Sequence, residues 1–245
     1  MDLVLSCEHA SWALPSGLED ALGVPEDVLR SHRGWDAGAA WTAEQLAARF
    51  EAELFLGRVT RLAVDLNRSA DNRRADSVFA QRLSEPQRQD LRRQYHAPHW
   101  DAVARALGRR VRRGPVLHLS VHSFTPVLHG KRRPMDIGLL YDPVRPLEAA
   151  LARELKNLLS ATGLKVARNA PYRGRDDGIT RGMRARFAPE RYAGIELELN
   201  QAQVRDGRLE PAVFESVASA LATILAGHLH PPGAGRAPTA RRPGA

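Results

Sequence analysis

The hydrophobic and polar positions of the chain fall into stretches of two kinds. Leu3 to Ser6 is a short apolar run that reads as a buried strand. A helix is predicted from Glu26 to Arg30, after Pro25. From about Ala37 to Glu53, apolar Ala40, Trp41, Leu46, Ala47 and Phe50 recur at helical spacing. VTRLAVDLNRS predicts a second strand that leaves by a polar exit. SEPQRQDLRRQYHAPHWDAVARALGRR opens with Ser84 as a cap and Pro86 in the first turn, which predicts a long helix broken or kinked near Pro98. GPVLHLSVHSFTP, DIGLLYDP and LKVARNAP predict the third, fourth and fifth strands, and YAGIELELNQ the sixth. PLEAALARELKNLLSATG is a helix with Leu151, Leu155, Leu158 and Leu159 on one face and Gly163 at its end. YRGRDDGITRGM reads as a polar loop and PAVFESVASALATILAGHL as the last helix.

Strands alternating with helices of this length predict an α/β fold: a single domain with a mostly parallel or mixed sheet and helices on both faces. The expected domain spans residues 1–230, and residues 231–245, rich in Pro, Gly, Ala and Arg, form a disordered tail. At 245 residues the chain is long enough to bury a real core. No apolar run approaches the ~18 residues that span a bilayer, and the N-terminus lacks the basic start of a secretory signal. One cysteine, Cys7, excludes an internal disulfide and fits a reducing cytoplasm. The net charge of +8 invites a nucleic-acid reading. Three of the basic residues, however, lie in the tail, and the others are dispersed. Arginines near a site would also suit a small anionic substrate.

In open α/β sheets ligands bind at the carboxyl ends of the strands, so the residues that end each strand are the ones to inspect. They are Glu8-His9, Asp65 with Asn67-Arg68, His118 and His122-Ser123, Asp142, and Glu196, Glu198 and Asn200, with Asp36 just ahead of a helix. Two histidines and a carboxylate from separate loops suit Zn²⁺ with one position open. A further carboxylate would take a proton from water. An arginine beside an asparagine offers a planar fork of donors to a substrate carboxylate.

In order along the chain, SCEHAS, WDAGA, VDLNRS, HSFTP, DIGLLYD, PYRGRDDG and IELELNQ resemble the motifs of the N-formylglutamate amidohydrolase family, over about residues 3–203. That family is similar in fold to zinc carboxypeptidases and aspartoacylase. The resemblance implies a metal-dependent hydrolase that releases an acyl group, formate in the named case, from the amine of an acidic amino acid. It implies His9 and His122 as metal ligands with Asp36 as the carboxylate, Glu8 being the competitor beside His9. It implies Glu198 as the general base, in competition with Glu196, which faces the same side of its strand. Asn67 and Arg68 correspond to the pair that holds the substrate carboxylate, and Arg175 or Arg173 would supply a second anion contact. The characterised enzymes carry Pro-His-Ser-Gly where this chain has Glu8-His9-Ala10-Ser11.

Other residues carry a structural expectation. His118, inside its strand, reads as a buried histidine satisfied by hydrogen bonds. His96 and His99 lie three apart around Pro98 and read as a packed kink. Cys7 reads as a small buried hydrophobe, Asp142 as a turn residue, Asp65 as an orienting group, and DNRRADS as a solvated loop. Two rival functions are a carboxypeptidase-like or other N-acyl amino acid hydrolase and, from another class, a basic nucleic-acid-binding module. The second lacks aromatic residues interleaved with the basic ones.

Overall fold

The computed structural model describes residues 1–72 and 75–227; the expected tail, 231–245, lies outside these. Its centre is a six-stranded sheet: β1 Asp2–Cys7, β2 Glu53–Leu56, β3 Val116–Phe124, β4 Ile137–Leu140, β5 Val166–Arg168 and β6 Tyr192–Asn200, in the order β2-β1-β3-β6-β4-β5. The sheet is mixed. β2, β1, β3 and β6 run parallel, whereas β4 and β5 run opposite to them. Chain length between strands explains the reversal. No helix lies between Phe124 and Ile137, only a small ribbon pairing Val127–Leu128 with Lys131–Arg132, and a parallel return needs a crossover. β4 and β5 are separated by a full helix and so run parallel to each other.

The long strands explain how the domain is layered. β3 reads Leu117, Leu119 and Val121 on one face against His118, Ser120 and His122 on the other. β6 sets Ile195, Leu197 and Leu199 against Glu196 and Glu198, since successive side chains alternate. The apolar face, with Leu3, Leu5 and Cys7 of β1, packs on α1 (Ala39–Phe50), α4 (Pro146–Ala161) and α6 (Pro211–Gly227) as the main core. The opposite face is apolar only at the beginning of the strands. There Val4, Val116 and Tyr192 pack on Trp100, Val103 and Leu107 of α3 (Ala97–Val111) and on Ile179 and Met183 of α5 (Ile179–Arg184). Toward the carboxyl ends this face turns polar. β3 and β6 are buried along their whole length, so those polar side chains are inside the protein.

Two sequence expectations change. VTRLAVDLNRS forms no strand. Thr60 turns the chain, its hydroxyl donating to the Gly34 carbonyl and its own carbonyl accepting from the Ala63 amide. Leu62, Ala63 and Val64 are buried in the core under this turn and pair with no strand. The second strand is instead Glu53–Leu56, four half-buried edge residues too short to stand out. Within the loop YRGRDDGITRGM, Ile179–Arg184 is helical. The long helix expected to break or kink near Pro98 changes geometry just ahead of it: α2 (Glu85–Leu91) continues through a π-helical turn, Arg92–His96, into α3, which absorbs the proline. Among the described residues no helix is long and apolar enough to cross a membrane.

Candidate active site

The polar ends of β1, β3 and β6 meet in one cleft of about 210 Å³, smaller than the ~300–1,000 Å³ usual for drug-sized ligands. His9 follows β1 by two residues. Asp36 precedes α1 and is tied to the β1 exit, its backbone N–H donating to the His9 carbonyl at 3.0 Å. His122 lies in β3 directly across from Glu198 in β6. Asp65, Asn67 and Arg68 arrive on the turn after Thr60. All of His9, Asp36, His122 and Glu198 are buried.

Asp36 Oδ2 is 2.9 Å from His122 Nδ1 and 3.3 Å from His9 Nδ1, and ligand atoms of these three residues lie within 4.8 Å of one another. The far ring nitrogens are held by separate acids. His9 Nε2 donates to Asp65 Oδ1 at 2.7 Å, and His122 Nε2 lies 3.1 Å from Glu8 Oε2. Burial alone would raise the Asp36 carboxyl, but the charge of His9 and the bond from His122 hold it well below the carboxylate range. Burial would likewise lower His122, yet its bonds to Asp36 and Glu8 hold it well above the ordinary 6.5. The pocket therefore draws positive charge.

Glu198 is the opposite case. Burial pushes its carboxyl up to about 8, opposed by His122 and reinforced by Asp36 and Glu196. Among the described residues its buried Oε2 has no hydrogen-bond partner. Glu196, which also lines the cleft, accepts from the Thr180 hydroxyl at 2.7 Å. A glycine makes the approach possible. Gly138 lies across from Glu198 in the antiparallel pair, and a Cβ there would come within 3.1 Å of the Glu198 Cβ and strike the Ala170 carbonyl.

The wall beside the cluster is cationic. Arg61, 3.1 Å from Asp65 and 3.7 Å from Asp36, lines the cleft with Arg68 and Arg173. Arg68 donates to the Asp177 carbonyl at 2.7 Å, and Asp177 accepts from the Ser69 N–H, which ties the Arg68 turn to the loop before α5. Asn67 Oδ1 accepts from the Ile179 N–H at 2.9 Å, and its amide nitrogen lies 3.3 Å from His122 Nε2. Arg175 is not brought to the cleft. It pairs with Asp142 at 2.7 Å and is over half exposed. Asp142 follows a reversed strand, so it lies toward the beginning of β6, at the opposite end from Glu198. Arg173, two residues earlier, faces the cleft instead.

Sequence reasoning misses Arg61 because VTRLAVD reads as a strand, although Arg61 and Asp65, four apart, fit one turn. Glu8 lies on the far side of His122 from Asp36. His118 is satisfied as expected, by Ser6 Oγ at 2.8 Å and Tyr192 Oη at 2.9 Å, and burial lowers it to about 4. Cys7 is fully buried on the apolar face and burial raises its thiol, which removes it as a nucleophile. DNRRADS includes Arg73 and Arg74, which lie outside the described residues.

Glu198, its carboxyl pushed up by burial, thus faces the cluster of His9, Asp36 and His122 across one small cleft. The N-formylglutamate amidohydrolase profile matches residues 1–204, and the chain belongs to that family. It is accordingly an amidohydrolase. Among solved structures it is similar to a gene product of Agrobacterium tumefaciens, with 31% identity, 91% of this chain and 92% of that one covered, and a TM-score of 0.77. It is similar in fold, at 19% identity, to N-formylglutamate amidohydrolase from Ralstonia eutropha JMP134, with 93% of each chain covered and a TM-score of 0.74. No match is found among curated proteins.

Proposed function

We propose that the protein is a zinc-dependent amidohydrolase that cleaves the N-acyl amide of an acidic amino acid, N-formyl-L-glutamate being the expected substrate. The observation that carries this reading is the cluster of His9, Asp36 and His122 beside Glu198. The donor set fits a divalent ion. Both Nδ1 atoms converge on Asp36 Oδ2, at 3.3 and 2.9 Å, while the Nε2 atoms turn to Asp65 and Glu8, and a cation in place of the shared protons would satisfy that convergence. His9, Asp36 and His122 would hold the ion. When bound, an ion such as Zn²⁺ lowers the pKa of a water to about 7, polarises a carbonyl and, by its charge, favours the carboxylate form of Glu198.

Glu198 Oε2 takes the proton from the attacking water and delivers it to the departing nitrogen, so that the amine leaves neutral. The α-carboxylate of the substrate lies against Asn67 and Arg68, and its side-chain carboxylate against Arg173. Arg61 is already engaged by Asp65, and it adds positive potential without leaving its partner. Phe124, Leu140 and Tyr172 of the wall cover the hydrocarbon stem.

Metal analysis of purified protein together with formate release from N-formyl-L-glutamate tests the reading, with N-acetyl amino acids and dipeptides as parallel substrates. The expected result is bound zinc and the highest kcat/KM on the N-formyl acidic amino acid. A preference for dipeptides would favour a carboxypeptidase-like reaction instead. His122→Ala is expected to lose both metal and turnover.

A further inference from the structure

We propose that Glu8 and His99 are positioning residues that fix the ring of His122 with Nδ1 turned toward Asp36; the inference rests on the metal-centre reading above. Neither residue lines the cleft. The Glu8 side chain has no exposed surface, and a carboxylate so placed is costly unless both oxygens are partnered. Both are. Oε2 accepts from the Ser120 hydroxyl at 2.6 Å and lies 3.1 Å from His122 Nε2, while Oε1 accepts from His99 Nε2 at 3.3 Å. Ser120 Oγ is itself 2.9 Å from His122 Nε2. His122 Nε2 is thus turned toward the Ser120 hydroxyl, the Glu8 carboxylate and, at 3.3 Å, the Asn67 amide nitrogen, while Nδ1 faces Asp36 on the cleft side. A carboxylate behind a ligating imidazole sets its tautomer and raises its basicity.

His99 explains why Glu8 stays in place. It comes from α3, three residues past the π-helical turn, in the HAPHW stretch that the proposed chemistry does not otherwise use. The same helix segment holds the substrate turn at two points. His96 Nε2 donates to the Arg68 carbonyl at 2.7 Å, and Trp100 Nε1 to the Leu66 carbonyl at 2.8 Å. In an α-helix of 3.6 residues per turn, the extra residue of the π turn rotates the rest of α3 by about 100°. His99 belongs to the face so presented and meets Glu8 beneath the cleft.

The test measures zinc dissociation constants by competition with a chromophoric chelator, and the ¹⁵N shifts of the His122 ring in metal-free protein, for the wild type, Glu8→Gln, His99→Leu and His99→Gln. A glutamine amide at position 8 can donate to Nε2 and drive the proton to Nδ1, where it blocks the ligand lone pair. Glu8→Gln and His99→Leu are expected to weaken zinc binding about 10- to 100-fold and to move the His122 ring ¹⁵N resonances. His99→Gln, which keeps an N–H for Oε1, is expected to stay nearer the wild type. Unchanged zinc affinity and unchanged His122 shifts in Glu8→Gln overturn the proposal, and an unaffected His99→Leu overturns the part assigned to His99. If the wild type itself takes up no zinc, the metal reading falls, and the metal-free shifts decide for Glu8: unchanged shifts overturn it, altered shifts support it. Should Glu8→Gln not fold, His99→Leu carries the same comparison.

Discussion

At the scale of single residues, the candidate base is defined by what surrounds it. Glu196 and Glu198 share a strand face, and on sequence alone either suits the role. The fold gives Glu196 a hydroxyl partner and leaves Glu198 Oε2 without one among the described residues. Glu198→Gln is therefore expected to keep its metal and lose about 10²- to 10⁴-fold in kcat, read by formate release alongside metal analysis. The raised carboxyl also predicts a pH effect on the metal-free protein. Its folded value of about 8 lies above the ordinary 4.5, so the stability it contributes is fully present below about pH 4.5 and is lost as pH rises through 8. With chelator present, Glu198→Gln should melt higher than the wild type above pH 8, a gain of at most a few kcal/mol at about 1.4 kcal/mol per pKa unit. The two should converge in acid. Wild type melting higher than the variant at alkaline pH would contradict the assignment.

Secondary-structure elements decide which of these residues meet. The alternation in LHLSVHS and GIELELN is legible in the sequence, and it places His118, Ser120, His122, Glu196 and Glu198 on a single face. Which elements cover that face is not. Pro98 signals a distortion in the sequence, but not that it takes the form of a π turn that brings His96, His99 and Trp100 to the site together. His96→Ala is expected to raise KM several-fold with a smaller change in kcat, because it frees the Arg68 carbonyl while leaving His9, Asp36 and His122 in place. Steady-state kinetics on the N-formyl substrate checks this. VTRLAVDLNRS misleads because β-branched and apolar residues dominate it, whereas the real second strand is a four-residue edge that owes its form to pairing with β1.

For the molecule as a whole, the apolar sheet face supplies stability and the polar face supplies chemistry. Leu119→Ala, in the centre of the main core, should cost about 2–5 kcal/mol in denaturant titration without altering zinc affinity per folded molecule. If the ion is bound as proposed, a chelator should lower Tm by about 5–10 °C, since saturation at about 100-fold over Kd is worth ~2.7 kcal/mol; an unmoved Tm would count against a metal held in the native site. By itself the sequence determined the α/β class, the apolar and polar faces of the long strands, and the motifs in which His9, Asp36, His122 and Glu198 stand. These depend on residue type and short spacings, which the chain carries locally. Only the tertiary structure decided that β4 runs backward and takes Asp142, with its partner Arg175, toward the opposite end of the strands. It also decided that Arg61 joins the cleft, and that Glu8 stands behind His122 rather than beside Asp36. Those outcomes depend on strand order and on which partner saturates each buried polar atom, and such partners lie as many as 112 residues apart in the chain.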